Sequence, residues 1–177
     1  MLSNNDFSFQ SGSQSGPALA VELIGPHVRF GGTVKLGPYL RLSDLLNFHD
    51  QTLTLADAVV LNRTGQPTAD GVPALDVRAD AISLVIDHSG YVPPAASDDV
   101  AVQKASYRLM AVTDAHLITG TFFIHPGVEP NAYLLAAEPR WIPLTDVRVR
   151  SMVDRGIKFG AEFAVLNRRS VEATSVL

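Results

Sequence analysis

The five histidines, His27, His49, His88, His116 and His125, are the side chains best suited to bind a metal or move a proton near neutral pH. No two of them fall at helical metal-ligand spacing, and no HExxH string occurs. His116 and His125 bound one alternating segment, and nine residues of strand at ~3.3 Å each put them about 30 Å apart. They read as surface or packed histidines. The chain has no cysteine, which excludes disulfides, thiolate metal sites and a cysteine nucleophile. GxSxG, P-loop and GxGxxG strings are absent. The glycine pair of "FGGT" (30–33) sits inside a strand pattern, where close backbone approach or a bulge is the usual reason. Asp98 and Asp99 fall in a Pro/Ser-rich stretch, and Asp44 falls near a helix start, where it favours the dipole. No carboxylate pair is spaced for acid/base work. The expectation is no catalytic residue, no cofactor, no metal and no enzyme activity.

The remaining chemistry is basic and apolar. Residues 1–106 hold 6 Lys/Arg against 11 Asp/Glu, whereas residues 107–177 hold 8 against 7. Arg148, Arg150, Arg155, Lys158, Arg168 and Arg169 oppose only Asp154 and Glu162 within 148–169. This patch reads either as a solvated strand face or as a docking site for an acidic partner, such as the complementary face of the first half of the chain. Leu117 and Phe123 are apolar where the matching strand of the first half carries Arg29 and Lys35. The candidate partner-binding residues are therefore Leu117, Phe123, Arg148, Arg150, Lys158, Arg168 and Arg169.

The elements that must hold these residues come in two sets. With the sequence slid by 88 or 89 residues, "VELIGPHVRFGGTVKL" (21–36) falls on "LMAVTDAHLITGTFFI" (109–124), and "DLLNFHDQTLTLADAVV" (44–60) on "YLLAAEPRWIPLTDVRV" (133–149). Ordered matches with one small gap point to a tandem duplication. Residues 1–18 read as a polar arm, 19–87 as repeat 1, 88–105 as a linker and 106–177 as repeat 2. Each repeat predicts β-β-α-β-β-β, with Ser43 and Asn131 as helix N-caps. Val28, Phe30, Gly32, Val34 and Leu36 form an inward set, with Arg29 and Lys35 outward. The matching strand, with Leu117 and Phe123 outward, is expected to be covered on both faces. In "TLTLADAVV" and "WIPLTDVRV" the buried parity changes at Asp57 and Asp146, which requires a bulge. Both aspartates read as backbone-binding residues at that irregularity rather than as catalytic acids.

A Gly-Thr strand, a Leu-x-Leu-x-Asp strand and a closing hairpin resemble the small five-stranded Sm-like barrels. The matching residues are Gly32, Leu55, Asp57 and Ile82, and then Gly120, Leu144, Asp146, Asn167 and Val171. Arg41, Ser43, Asp44, Leu46 and Asn47 are also similar to an uncharacterised bacterial domain family with an R-x-S-D-x-L-N … L-x-D-V-x-V pattern. Repeat 2 keeps "IPLTDVRV" and "LNRRSV" but lacks the Arg-Ser-Asp, and the inserted helix departs from the Sm pattern. The resemblance implies a mainly β fold of two tandem small barrel-like units, each of about five strands with one short inserted helix. It implies no enzymatic activity, and offers ring-forming or RNA-binding precedents by analogy.

A hydrophobic content of 46% supports a packed core, and a net charge of −4 argues against whole-surface attraction to nucleic acid or anionic membrane. The first twenty residues show no signal-peptide pattern, and no apolar run is long enough for a membrane helix, so a cytoplasmic location without membrane insertion is expected. The function expected is a non-enzymatic interaction or assembly role with a protein partner or self-association. The alternatives are a nucleic-acid-binding module using Arg148, Arg150, Arg168 and Arg169, and a small-ligand site between the repeats.

Overall fold

The computed structural model describes residues 16–49, 51–94 and 103–177. The first half contains strands β1 (Ala18–Ile24) and β2 (Arg29–Lys35), helix α1 (Leu42–Phe48), and strands β3 (Thr52–Leu61), β4 (Val72–Arg78) and β5 (Leu84–Asp87). The second contains β6 (Ala105–Thr113), β7 (His116–Ile124), α2 (Pro130–Leu135), β8 (Trp141–Ser151), β9 (Lys158–Asn167) and β10 (Val171–Val176). A 3-10 turn precedes the last strand of each half, at Ala79–Ala81 and Arg168–Ser170. The two halves thus share one element order. The polar arm falls almost wholly outside the described residues, as does the middle of the expected linker.

The fold is mainly β, as expected, but the strands do not form two separate closed barrels. They make one open antiparallel sheet in the order β10-β6-β7-β8-β9-β5-β1-β2-β3-β4. The physical reason lies in β5. It does not return to β4; it pairs with β1 on one side and with β9 of the other half on the other.

Local sequence explains the elements. In β1, Leu19, Val21 and Leu23 are buried while Ala18 and Ala20 face out. In β7, His116, Ile118, Gly120, Phe122 and Ile124 are buried, the inward set that alternation predicts. The outward face of β7 is less covered than expected: Leu117 is half-buried and Phe123 is exposed. Arg29, predicted outward, is buried; it pairs with Glu22 at 3.0 Å and lies 4.0 Å above the Phe159 ring of the other half. The expected helix caps also move. Ser43 lies inside α1, whose N-cap is Arg41. In α2 the N-cap is Glu129, whose carboxylate accepts from the backbone N–H groups of Asn131 and Ala132.

The change of strand parity is a bulge in both halves. Register shifts between Gly31 and Thr33 opposite β3, and between Thr119 and Thr121 opposite β8. Asp57 and Asp146 sit there with φ of 49° and 50°. Both side chains are exposed. The position therefore demands left-handed backbone, which Asp tolerates better than most residues, rather than a buried carboxylate. Gly32 faces the bulge because a Cβ would lie 3.0 Å from both Ala56 O and Leu55 Cβ.

Two hydrophobic clusters lie on opposite faces of the central strands. Val85 and Val165 enter the first, with Leu19, Leu46 and Trp141. Leu84, Ile86, Ala164 and Leu166 enter the second, with Ile118, Phe122 and Leu144. The β5–β9 seam is apolar at every position because alternate residues feed different cores.

Candidate protein interface

The seam between the halves is itself a built interface. Leu84, Val85 and Ile86 of β5 pair with Leu166, Val165 and Ala164 of β9. Its flank is fixed by polar side chains that the apolar pattern does not reveal. Asn47, at the end of α1, accepts from the Trp141 backbone N–H at 2.9 Å and donates to the Trp141 carbonyl at 3.1 Å. Trp141 is thereby held in the first core, 1% exposed. Asn167, also 1% exposed, donates from Nδ2 to the carbonyls of Ala79 and Ile82 across the seam. Its Oδ1 accepts from Arg140 Nε and from the Arg169 backbone N–H. Arg140, 2% exposed, reaches Asp80 of the first half at 2.7 Å. Every polar group that enters the seam from Asn47 and Asn167 is matched, which is what makes its burial tolerable.

The same flank on the second half carries no such cover. Offset by 89 residues, α1 residues Leu45, Leu46 and Asn47 correspond to Leu134, Leu135 and Ala136. Leu46 is 1% exposed, whereas Leu135 is 80% exposed. Next to Leu135 lies a pocket of about 320 Å³, bordered by Leu134, Ile142, Arg168, Arg169 and Thr174. Arg168 lies 5.0 Å over the Tyr133 ring, and its Nη1 donates to the Ala136 carbonyl. Its Nε and Nη2 are buried and have no hydrogen-bond partner. Burial holds the Arg168 guanidinium below its usual pKa, with Tyr133 and Glu138 acting the other way. Burial likewise raises the Tyr133 phenol, against the influence of Arg168.

The candidate residues read from sequence fall into separate places. Leu117 pairs with Arg150, and Arg150 with Lys158, so these three share the outer face of β7–β9; Arg148, two residues before Arg150 on β8, joins them. Arg148, Arg150 and Lys158 are exposed on that face. Phe123, 44% exposed, lies six residues further along β7. Arg168 and Arg169 stand apart, in the 3-10 turn beside α2. Sequence reasoning missed Arg140, Trp141 and Leu135. No signal in the sequence marks them, because Leu135 and its counterpart Leu46 are the same residue type with opposite exposures.

A second pocket, about 360 Å³, lies between the halves beside Arg41, Ser43, Asp87, Tyr91, Glu162 and Phe163. Its charged residues Arg41 and Glu162 are exposed. His116 is buried with Nδ1 unpaired, and desolvation, then Arg29, lower its pKa, while Asp114 opposes. Among the described residues no group of three or more His, Asp or Glu is placed to hold a metal, and no helix is long and apolar enough to cross a membrane. Comparison with known protein families, curated proteins and solved structures finds no match to this chain.

Proposed function

We propose that this chain is a non-enzymatic assembly or accessory subunit, built from a duplicated Sm-like β unit and working through protein–protein contacts. The observation that carries the reading is the unequal fate of one position: Leu46 is buried in a core that Trp141 and Val165 of the other half complete, while Leu135 is open to solvent beside a pocket. The shared element order and the left-handed aspartates at matched bulges support the duplication. A unit of this kind buries its α-helix flank against a neighbour, and among the described residues the second unit has none. An exposed apolar side chain rimmed by arginines fits an interaction site.

Light scattering across a concentration series, with affinity capture from cells that make the protein, tests the reading. The expected result is either a mass above one chain or a stoichiometric retained partner. A single-chain mass at every concentration, with no partner retained, refutes it.

A further inference from the structure

We propose that the partner is a second copy of this chain, and that β4 of one copy pairs antiparallel with β10 of the next. The proposal deepens the assembly reading and rests on it. Among the described residues, the two strands are the edges of the sheet. They are also the counterparts of the two strands that meet at the internal seam. Val77 lies opposite Leu53 as Leu166 lies opposite Ile142, so β4 corresponds to β9. Ile86 lies opposite Glu22 as Ser175 lies opposite Met110, so β10 corresponds to β5. The surface left by each half alone is thus the surface the seam already joins once. Such a contact is head-to-tail, and it propagates until a ring closes or a filament grows.

The seam also sets the register. Leu84–Leu166, Val85–Val165 and Ile86–Ala164 translate into Ala173–Val77, Thr174–Asp76 and Ser175–Leu75 between copies. Residues directly opposite in an antiparallel pair point to the same face. Val165 leaves its own core and enters that of the other half. Asp76, its counterpart, is exposed and accepts from the Thr54 hydroxyl at 2.6 Å. Thr174 borders the pocket that holds Arg168. The pairing therefore carries the Asp76 carboxylate to the face where Arg168 keeps two buried, unpartnered N–H groups. A carboxylate is the partner those groups lack. Around it, the acidic first half meets the more basic second half. The seam inside the chain is apolar and permanent. The joint between copies replaces Val165 by Asp76 and Trp141 by Thr52, which makes it polar, reversible and salt-sensitive.

The chain's lack of cysteine allows a direct test. The double variant Leu75→Cys with Ser175→Cys, which keeps Asp76 and Arg168, places thiols opposite each other between copies; Gly71→Cys with Ser175→Cys puts them four residues out of register. Mild oxidation and non-reducing electrophoresis then read the pairing, and light scattering reads the mass. Expected are a ladder of covalent multimers for the first pair and little for the second. Asp76→Arg, which turns a charge-assisted contact into like-charge repulsion, and Leu135→Glu, which puts a charge on an apolar contact, both at exposed positions, should each raise the concentration of half-assembly by about tenfold or more. Multimers that neither cross-link through the first pair nor respond to these variants overturn this pairing but leave the assembly reading standing. A retained foreign partner with a single-chain mass does the same. A single-chain mass with nothing retained overturns both.

Discussion

Replacing Asn167 by Ala tests whether the two halves are one cooperative body. Asn167 is 1% exposed and makes four hydrogen bonds, two of them to carbonyls of the other half. Their losses are unequal. The Ala79 carbonyl keeps the Ile82 backbone N–H at 3.3 Å, so its loss is mild. The Ile82 carbonyl loses the Asn167 bond of 2.7 Å, and Arg140 loses one of its buried acceptors. An orphaned buried carbonyl costs about 1–3 kcal/mol and a charged donor a similar amount, partly offset because Arg140 retains Asp80. The expected destabilisation is about 3–4 kcal/mol, or a fall in Tm of roughly 6–16 °C for a chain of this size. Urea unfolding followed by tryptophan fluorescence reads it, since Trp141 lies within the first core. Asn62→Ala is the control: Asn62 Oδ1 accepts three bonds in a turn, from Thr64 N, Thr64 Oγ1 and Gln66 N, but at the surface. Water replaces those bonds, so the control should cost under ~1 kcal/mol. If the two variants cost the same, or if Asn167→Ala costs under ~1 kcal/mol, the polar flank does not hold the halves together.

Three further outcomes are expected. Asp57→Gly should be near neutral in thermal unfolding, whereas Asp57→Val should lose about 1–2 kcal/mol, because φ is 49° and a β-branched residue resists that conformation; equal effects would show that the carboxylate itself matters. Gly32→Ala should cost more than Gly120→Ala, within about 1–3 kcal/mol, since the added Cβ meets neighbours at 3.0 Å in the first case and 3.3 Å in the second; the reverse order, read in the same melts, would refute the close-approach account. His116 resists protonation when folded, so its pKa lies below the unfolded value of 6.5. The stability it contributes is complete above that value and drains away as pH falls from it through the folded pKa. His116→Phe should flatten this part of the pH–stability curve, and an unchanged slope would place the titration elsewhere.

Much of the frame was legible because it rests on strong local signals. Alternation placed β2 and β7, and the parity change at Asp57 and Asp146 correctly announced a bulge. The role of those aspartates was not legible, since a left-handed backbone and a carboxylate bound to backbone give the same pattern in sequence. Arg29 was misplaced because alternation assigns a face but cannot say whether Phe159 of another unit covers it. Helix caps failed because Glu129 caps α2 from two residues before the Asn131 that local preference selects.

The deeper failure concerned closure. A five-stranded unit with a buried inner face suggests a barrel, and pattern alone cannot tell whether β5 pairs with its own β4 or with another unit's fourth strand. The run Leu84-Val85-Ile86 held the answer, since a strand closing only its own core would alternate, and this one does not. Its counterpart Ala173-Thr174-Ser175 is small and polar, as is Asp76 on the facing edge. Under the proposed pairing, that contrast separates a permanent joint from a reversible one between molecules. An apolar seam at both places would leave each newly made chain with sticky edges before folding finished. In the proposed assembly, polar edges that match in charge would pair only in register, with Arg168 as the group that enforces it.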